Sequence, residues 1–425
     1  MADGRRYFGT DGVRGIVGEG LTEDLVARLG FAFAQWSDAA PVLVGRDTRA
    51  SGPALEEALA RGLGAGGAAV TLGGVLPTPA VALLAEGCGA VVSASHNPPA
   101  YNGVKLFARE GRKLSDEEEA LVEGLLPEPV PRSGPEPRRD ETARERYVEL
   151  VTQRFGAPLD GLRIAVDTAN GAMTGLAQQA LERLGARVTS LGDEPDGTNI
   201  NAGCGATDLA ALAVATRERD HDLGVAFDGD GDRMLAVDPQ GNEVGGDALI
   251  AILALHLGVR LVAVTEMSSL GLHRLLADHG IRTVTTPVGD RYVLEALRRE
   301  GGVLGGEQSG HLVYLDGHTT GDGLVAALLL ARALRESGRG VAELAARLEP
   351  VPQATRNVPV RTKTFTTALE HELARLSASL DGKGRIVVRP SGTEPVVHVL
   401  AEAETQEVAD RLSDTIAALV GRELG

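Results

Sequence analysis

The chain has 425 residues, 43% hydrophobic and 24% charged, and a formal net charge of −17; it is too long for one hydrophobic core and is expected to divide into roughly two to four domains. That charge excludes non-specific binding to nucleic acid or to an anionic membrane, but leaves room for an anionic substrate held by a local arginine cluster. No N-terminal run reads as a signal peptide, the apolar runs fall far short of the ~20 residues a membrane helix needs, and Cys88 and Cys204 lack metal-type spacing, so a cytoplasmic protein with free thiols is expected.

In chain order, YFGTDGVRG sets Asp11 and Arg14 in a glycine-rich loop that suits an anion. PVLVGRD predicts a strand, and SGPALEEALARGL a helix with Ser51 as N-cap. GLGAGG at 62–67 matches G-x-G-x-x-G, but it follows a helix and precedes a strand, the reverse of what a dinucleotide site requires. AAVTLG and GAVVSAS predict strands with the helix TPAVALLAE between them. The second strand runs into VVSASHNPPAYNG, residues 91–103, where an apolar run meets two serines, a histidine and an Asn-Pro turn. On a strand Ser93 and Ser95 share a face. No G-x-S-x-G elbow is present, which argues against an α/β-hydrolase serine. SDEEEALVEGLL predicts a helix with a capping box from Ser115 to Glu118. The proline-dense stretch 127–140 is the linker candidate.

A second α/β block runs from LRIAVDTANGAMTGLAQQALERLG to VAFDGDGDRMLAVD, and a third from GGDALIAILALHLG to GDGLVAALLLARALRES. Strands alternating with helices of this length imply α/β layers with mostly parallel sheets. From about Val351 the order becomes strand, helix, two strands, helix, which predicts a small α+β domain with antiparallel pairing. The expected domains are 1–135, 136–244, 245–350 and 351–425. No fixed-period repeat is visible.

Three further stretches carry chemistry. AFDGDGDRML places Asp228, Asp230 and Asp232 at alternate positions after an apolar strand, on one face of an extended chain. Three like charges so close raise each other's pKa unless a cation joins them, and hard oxygen ligands suit Mg²⁺. An EF-hand fails, because Arg233 and Pro239 stand where glycine and glutamate are needed. In RPSGTEP, Arg389, Ser391, Gly392 and Thr393 offer a guanidinium fork, hydroxyls and open backbone, the inventory of a phosphate cradle or of a plain hairpin turn. GGEQSGH joins Glu307, Ser309 and His311 on a glycine-rich loop suited to a polyhydroxylated ligand or to a polar turn. Of the 42 basic residues only Lys105, Lys113, Lys363 and Lys383 are lysine; a lysine kept in such a composition supplies a titratable amine that arginine cannot, unless it is there by chance.

Taken together, FGTDGVRG, SASHNP, FDGDGDR, GGEQSGH and RPSGTEP closely resemble, in order and over nearly the whole chain, the signatures of the α-D-phosphohexomutase superfamily. YFGTDGVRG, GGEQSGH and TPVGDRYV are similar to its bacterial amino-sugar branch. The resemblance implies three similar α/β domains with mixed sheets and a smaller C-terminal α+β domain around a central cleft. It implies that Ser95 is a phosphoserine flanked by His96 and Asn97, and that Asp228, Asp230 and Asp232 hold Mg²⁺ together with it. Arg14 and Arg233 would line the same site. Lys105, in NGVKLF, falls at the general acid/base position, with His311 the other candidate; as a base Lys105 needs neighbouring cations to depress its pKa. Glu307, Ser309 and His311 would meet the sugar, and Arg389, Ser391, Gly392 and Thr393 the phosphate that is not reacting. The implied reaction converts glucosamine 6-phosphate to glucosamine 1-phosphate through a sugar 1,6-bisphosphate, which is also an activator, and feeds cell-wall precursor synthesis in the cytoplasm. The implied partner is a small sugar phosphate, with no nucleic acid or membrane, and a homodimer is allowed. The alternatives are a phosphomannomutase/phosphoglucomutase, or a non-catalytic sugar-phosphate sensor.

Overall fold

The computed structural model describes residues 6–9, 11–129, 134–391 and 395–425. Its strands form four sheets, each drawn from one stretch of the chain. The first orders Val13–Ile16, Tyr101–Ala108, Cys88–Val92, Val42–Arg46, Val70–Val75 and Arg138–Arg139, with Arg112–Lys113 paired onto Tyr101–Ala108. The second orders Glu243–Val244, Met234–Val237, Leu223–Phe227, Arg163–Asp167 and Arg187–Leu191. The third orders Arg282–Thr286, Leu261–Thr265, Leu304–Gly306 and Leu312–Tyr314. The fourth is antiparallel throughout: Gln353–Pro359, Val396–Glu402, Arg385–Pro390.

One arrangement recurs in the first three sheets. Three parallel strands lie side by side, and the one on the flank continues through a loop into an antiparallel neighbour. The flanking strands are Cys88–Val92, Leu223–Phe227 and Leu304–Gly306. Their loops are the serine, triple-aspartate and GGEQSGH stretches. Parallel strands covered on both faces become continuous apolar runs. In Val42–Arg46 and Cys88–Val92, Val42, Val44, Ala90 and Val92 face helices Glu23–Trp36 and Gly52–Ala65, against Leu29, Phe33, Leu59 and Leu63. Leu43 and Val91 face a second core that runs on through Tyr147 and Val151 into the second and third units. The fourth unit has its own core around Leu369, Val397, Ile416 and Val420.

The capping box forms as expected, with Ser115 and Glu118 bonded reciprocally. Ser51 occupies its N-cap position, but its hydroxyl accepts from Asn102 Nδ2 at 2.9 Å instead of capping the helix, whose first turn is already set by proline. GLGAGG is a helix crossing: a Cβ at Gly62 would lie 1.9 Å from the Ala27 carbonyl oxygen. The linker expectation needs correction at its C-terminal end, where Arg138–Arg139 joins the first sheet as a parallel edge strand. Residues 130–133 lie outside the described residues. Helix Ala143–Phe155 then fastens the second unit to the third: the buried Tyr147 hydroxyl donates to Asp322 at 2.8 and 2.9 Å, and Asp322 caps helix Gly323–Ser337. The fourth unit is tied to the third where the buried Glu402 accepts from Leu270 N at 3.1 Å and from Arg385 Nε at 2.7 Å.

Candidate active site

The strand carrying the serine loop ends at Val92, so Ser93 and Ser95 are not alternate residues of one strand as expected. Ser93 closes the strand end: its hydroxyl donates to Asp47 Oδ2 at 2.6 Å and accepts from Ser95 N at 2.9 Å. Ser95 is held at φ 53, a left-handed conformation that costs a non-glycine residue and is kept only where its surroundings enforce it. The enforcing residue is Arg49, fully buried. Its Nη1 donates to the carbonyls of Pro98 (2.5 Å) and Tyr101 (2.9 Å), its Nη2 to those of Ser95 (3.0 Å) and Asn97 (2.7 Å), and its Nε to Asp47 (2.9 Å). Asn201 Nδ2 adds a bond to the Ser95 carbonyl at 2.9 Å. The result points the Ser95 hydroxyl at Asp228 Oδ2, 2.5 Å away, with His96 Nδ1 at 3.2 Å. Asn97 meets this network through its carbonyl.

The three aspartates lie on the turn between Leu223–Phe227 and Met234–Val237, not on an extended segment. Turn geometry, not strand alternation, brings one ligand atom of each within 4.8 Å of the others. The approach to the serine loop needs glycine: a Cβ at Gly229 would sit 2.6 Å from the Ser95 carbonyl oxygen. Thr78 donates to Asp230 Oδ2. Burial and repulsion from Asp232 and Asp230 push Asp228 up to about 8. Burial also acts to raise Asp230, but the Lys105 ammonium and Thr78 hold it below the usual carboxylate range. Asp230 Oδ1 and Asp232 Oδ1 are buried with no donor reaching them. Three hard carboxylates with such orphaned oxygens fit a divalent cation.

Lys105 lies among anions, the reverse of what a lysine base needs. Its Nζ is 2.8 Å from each of Asp11, Asp230 and Asp232. Burial works to lower its pKa, yet these carboxylates carry it well above the usual lysine value. His311 is likewise lifted to about 9: burial opposes the charge, and Asp290, at 3.1 Å, and Asp232, at 3.9 Å, restore it. His96 goes the other way, to about 4, through burial and the cations Arg233 and Arg14. Arg14 is bonded to Asp11 at 2.6 Å, and Arg233 N donates to Asp228 Oδ1 at 3.1 Å. Both arginines keep a buried Nε without a partner.

Glu307, Ser309 and His311 form a tight hairpin in which Glu307 N donates to the His311 carbonyl at 3.0 Å and Glu307 Oε1 accepts from Gly289 N at 2.9 Å. Ser309 and Arg233 open onto a cleft of about 780 Å³ shared by the second, third and fourth units, with Asp247, Gln308 and Gln353 also on its walls. Arg389 is the penultimate residue of the strand Arg385–Pro390, with its Nε buried and unpartnered. The structure does not bring Arg389 into contact with the serine loop or the triad. Lys363 Nζ donates to the Ser391 carbonyl at 2.7 Å, while Gly392 and Thr393 lie outside the described residues. Lys105, Lys113 and Lys363 thus sit among the candidate residues, Lys363 from an exposed position, whereas Lys383 is a surface residue paired loosely with Glu404 at 3.8 Å.

Arg49, Asp47, Thr78 and Asn201 escaped the sequence reading. The only signal in GRDTR is an acid and an arginine two residues apart just beyond a buried strand, which many solvated turns share. No described helix is long and apolar enough to cross a membrane.

A buried serine hydroxyl facing three clustered carboxylates, on equivalent loops of repeated α/β units, defines a class of phosphosugar enzymes. The chain belongs to the phosphoglucomutase/phosphomannomutase family, whose α/β/α domains I, II and III match residues 5–129, 145–241 and 245–351 and whose C-terminal domain matches residues 330–419. Two of its relatives are phosphoglucosamine mutases: that of Desulforudis audaxviator is 45% identical, covering 97% of each chain, and that of Bacillus subtilis is 42% identical, covering 99% of each. Among solved structures, a phosphoglucomutase/phosphomannomutase family protein from Burkholderia thailandensis superposes with a TM-score of 0.84 at 26% identity, over 97% of this chain and 96% of that one.

Proposed function

We propose that the protein interconverts glucosamine 6-phosphate and glucosamine 1-phosphate by way of a phosphoserine at Ser95 and glucosamine 1,6-bisphosphate. The observation that carries this is Ser95 Oγ held 2.5 Å from Asp228 in a loop whose backbone Arg49 immobilises. The full-length likeness to phosphoglucosamine mutases supports the sugar.

In the first half-reaction the bond from phosphorus to Ser95 Oγ breaks and one to the sugar O1 forms; the O1 proton ends on Ser95 Oγ. The bisphosphate then turns over, its 6-phosphate passes back to Ser95, and O6 takes the proton. Such transfer is mainly positioning and charge neutralisation. Asp228, Asp230 and Asp232, with the phosphate on Ser95, would hold Mg²⁺, which supplies charge neutralisation to the phosphoryl group. Arg14 and Arg233 lend their unpaired Nε atoms to the same charge. In the unphosphorylated protein Lys105 and His311 are both held protonated, so one of them gives O6 its proton in the second half-reaction and, left neutral, takes the O1 proton in the next first half-reaction. His96 is the neutral imidazole beside Ser95 Oγ: it takes the hydroxyl proton as Ser95 is rephosphorylated and gives it back to Oγ when the phosphoryl group leaves. Glu307 and Ser309 meet the sugar hydroxyls, and Arg389, Ser391, Gly392 and Thr393 hold the idle phosphate. Both thiols are free and buried, which suits the reducing cytoplasm.

The test is turnover on glucosamine 6-phosphate, glucose 6-phosphate and mannose 6-phosphate under one set of conditions. The expected kcat/KM is highest for glucosamine 6-phosphate by at least tenfold. A preference for either neutral sugar overturns the substrate while leaving the phosphoserine chemistry standing.

A further inference from the structure

TPVGDRYV, residues 286–293, is not used by the chemistry above. Its Asp290 and Arg291 open helix Asp290–Glu300 in the third unit and dock onto one stretch of the first unit, residues 113–119, with opposite polarity. Asp290 Oδ2 is 2.5 Å from Lys113 Nζ. Arg291 reaches Asp116 at 2.7 Å, Glu119 at 3.2 Å and the Leu114 carbonyl at 3.2 Å. Lys113 also holds Asp11 Oδ1 at 2.7 Å, and the other oxygen of Asp11 meets Lys105 at 2.8 Å. Asp290 meets His311 at 3.1 Å. A chain of alternating charge therefore runs Lys105, Asp11, Lys113, Asp290, His311 across the seam between two units, and both of its ends face Asp232. Beside it lies a cavity of about 20 Å³, lined by Asp11, Lys105, Lys113, Glu119 and Arg291, with room for a single water.

Buried ion pairs roughly break even against apolar packing in stability, so stability does not account for four of them in line; fixing register does. We propose that Lys113 is a positioning residue that sets the separation of Lys105 and His311 across this seam, so that both reach the same bound sugar phosphate. This rests on the reading that Lys105 and His311 move the proton. Lys113 touches neither the cleft nor the aspartate triad; it acts through Asp11 on one side and Asp290 on the other. Misplacing a reacting group by about 1 Å costs on the order of a hundredfold in rate. The guanidinium of an arginine, larger and forked, cannot occupy the point between Asp11 and Asp290 without pushing one of them away.

The experiment compares kcat, KM and Tm of wild type, Lys113→Met, Lys113→Arg and Arg291→Gln with glucosamine 6-phosphate. Both Lys113 variants are expected to lose at least tenfold in kcat with KM within twofold. Arg291→Gln, which loosens the same docking without touching the chain from Lys105 to His311, is expected to melt earlier with kcat within twofold. Wild-type kcat in Lys113→Arg, or an equal loss of kcat in Arg291→Gln, overturns the proposal. If Lys113→Met does not fold, Lys113→Arg decides alone. If the wild type prefers another hexose phosphate, the substrate reading fails by itself, and the same variants are compared on that sugar with the same two outcomes.

Discussion

Arg49 exposes no surface, yet four carbonyls of the serine loop and one carboxylate depend on it. Arg49→Met leaves Asp47 buried and unpaired, and breaking a buried pair in this way costs about 3–5 kcal/mol. A lower Tm together with loss of phosphate from Ser95 is expected, read by calorimetry and intact mass; full phosphorylation in a folded Arg49→Met would show that the loop holds its shape without the arginine. Asp228 makes the pH prediction. Burial and its neighbours bring it to about 8, so below that pH the carboxyl binds a proton that a cation must displace. Mg²⁺ affinity of the unphosphorylated protein should fall about tenfold per pH unit below 8 and level off above it. A calorimetric affinity that is flat from pH 6 to 8 contradicts this.

At the scale of elements, the loops that follow Cys88–Val92, Leu223–Phe227 and Leu304–Gly306 are one solution used three times: a flanking parallel strand turns into an antiparallel partner, and the turn carries the candidate residues. Gly229 is where two of these loops touch. Gly229→Ala puts a methyl 2.6 Å from the Ser95 carbonyl oxygen, a backbone clash that forces the two loops apart, so at least a tenfold loss of kcat together with a lower Tm is expected; an unimpaired variant would mean the loops part freely. These loops were legible in the sequence because each packs its chemistry into a few consecutive residues, as in Asp228, Asp230 and Asp232. The layering was legible for the same local reason, since apolar strands such as PVLVGRD alternate with helices. Long-range pairings were not. Arg49 bonds to residues some fifty positions on, and Asp290 finds Lys113 far back in the chain, with nothing in either local sequence to mark the partner. The convergence of the aspartates was seen, but for the wrong geometric reason, because a turn and a strand both bring alternate residues together.

Across the whole molecule, the first three units share a continuous core while the fourth packs around its own. Arg389, proposed to hold the idle phosphate, is therefore carried on a separately built unit. Losing a charge-assisted fork to phosphate costs ~1.5–3 kcal/mol, roughly tenfold to a hundredfold in affinity. Arg389→Ala should raise KM by that factor and release bisphosphate before the second transfer, counted as bisphosphate per turnover. A variant that only melts earlier would mark RPSGTEP as a plain turn. In the proposed cycle Ser95 hands a phosphoryl group to the sugar and takes one back. The direct measurement is mass spectrometry of the protein after incubation with glucosamine 1,6-bisphosphate, followed by addition of glucosamine 6-phosphate. With isotopically heavy phosphates on the bisphosphate, one heavy phosphate is expected on the peptide containing Ser95, replaced by a light one as unlabelled glucosamine 6-phosphate turns over, and no phosphate in Ser95→Ala. A phosphate on Ser93, or turnover by Ser95→Ala at the wild-type rate, would contradict it.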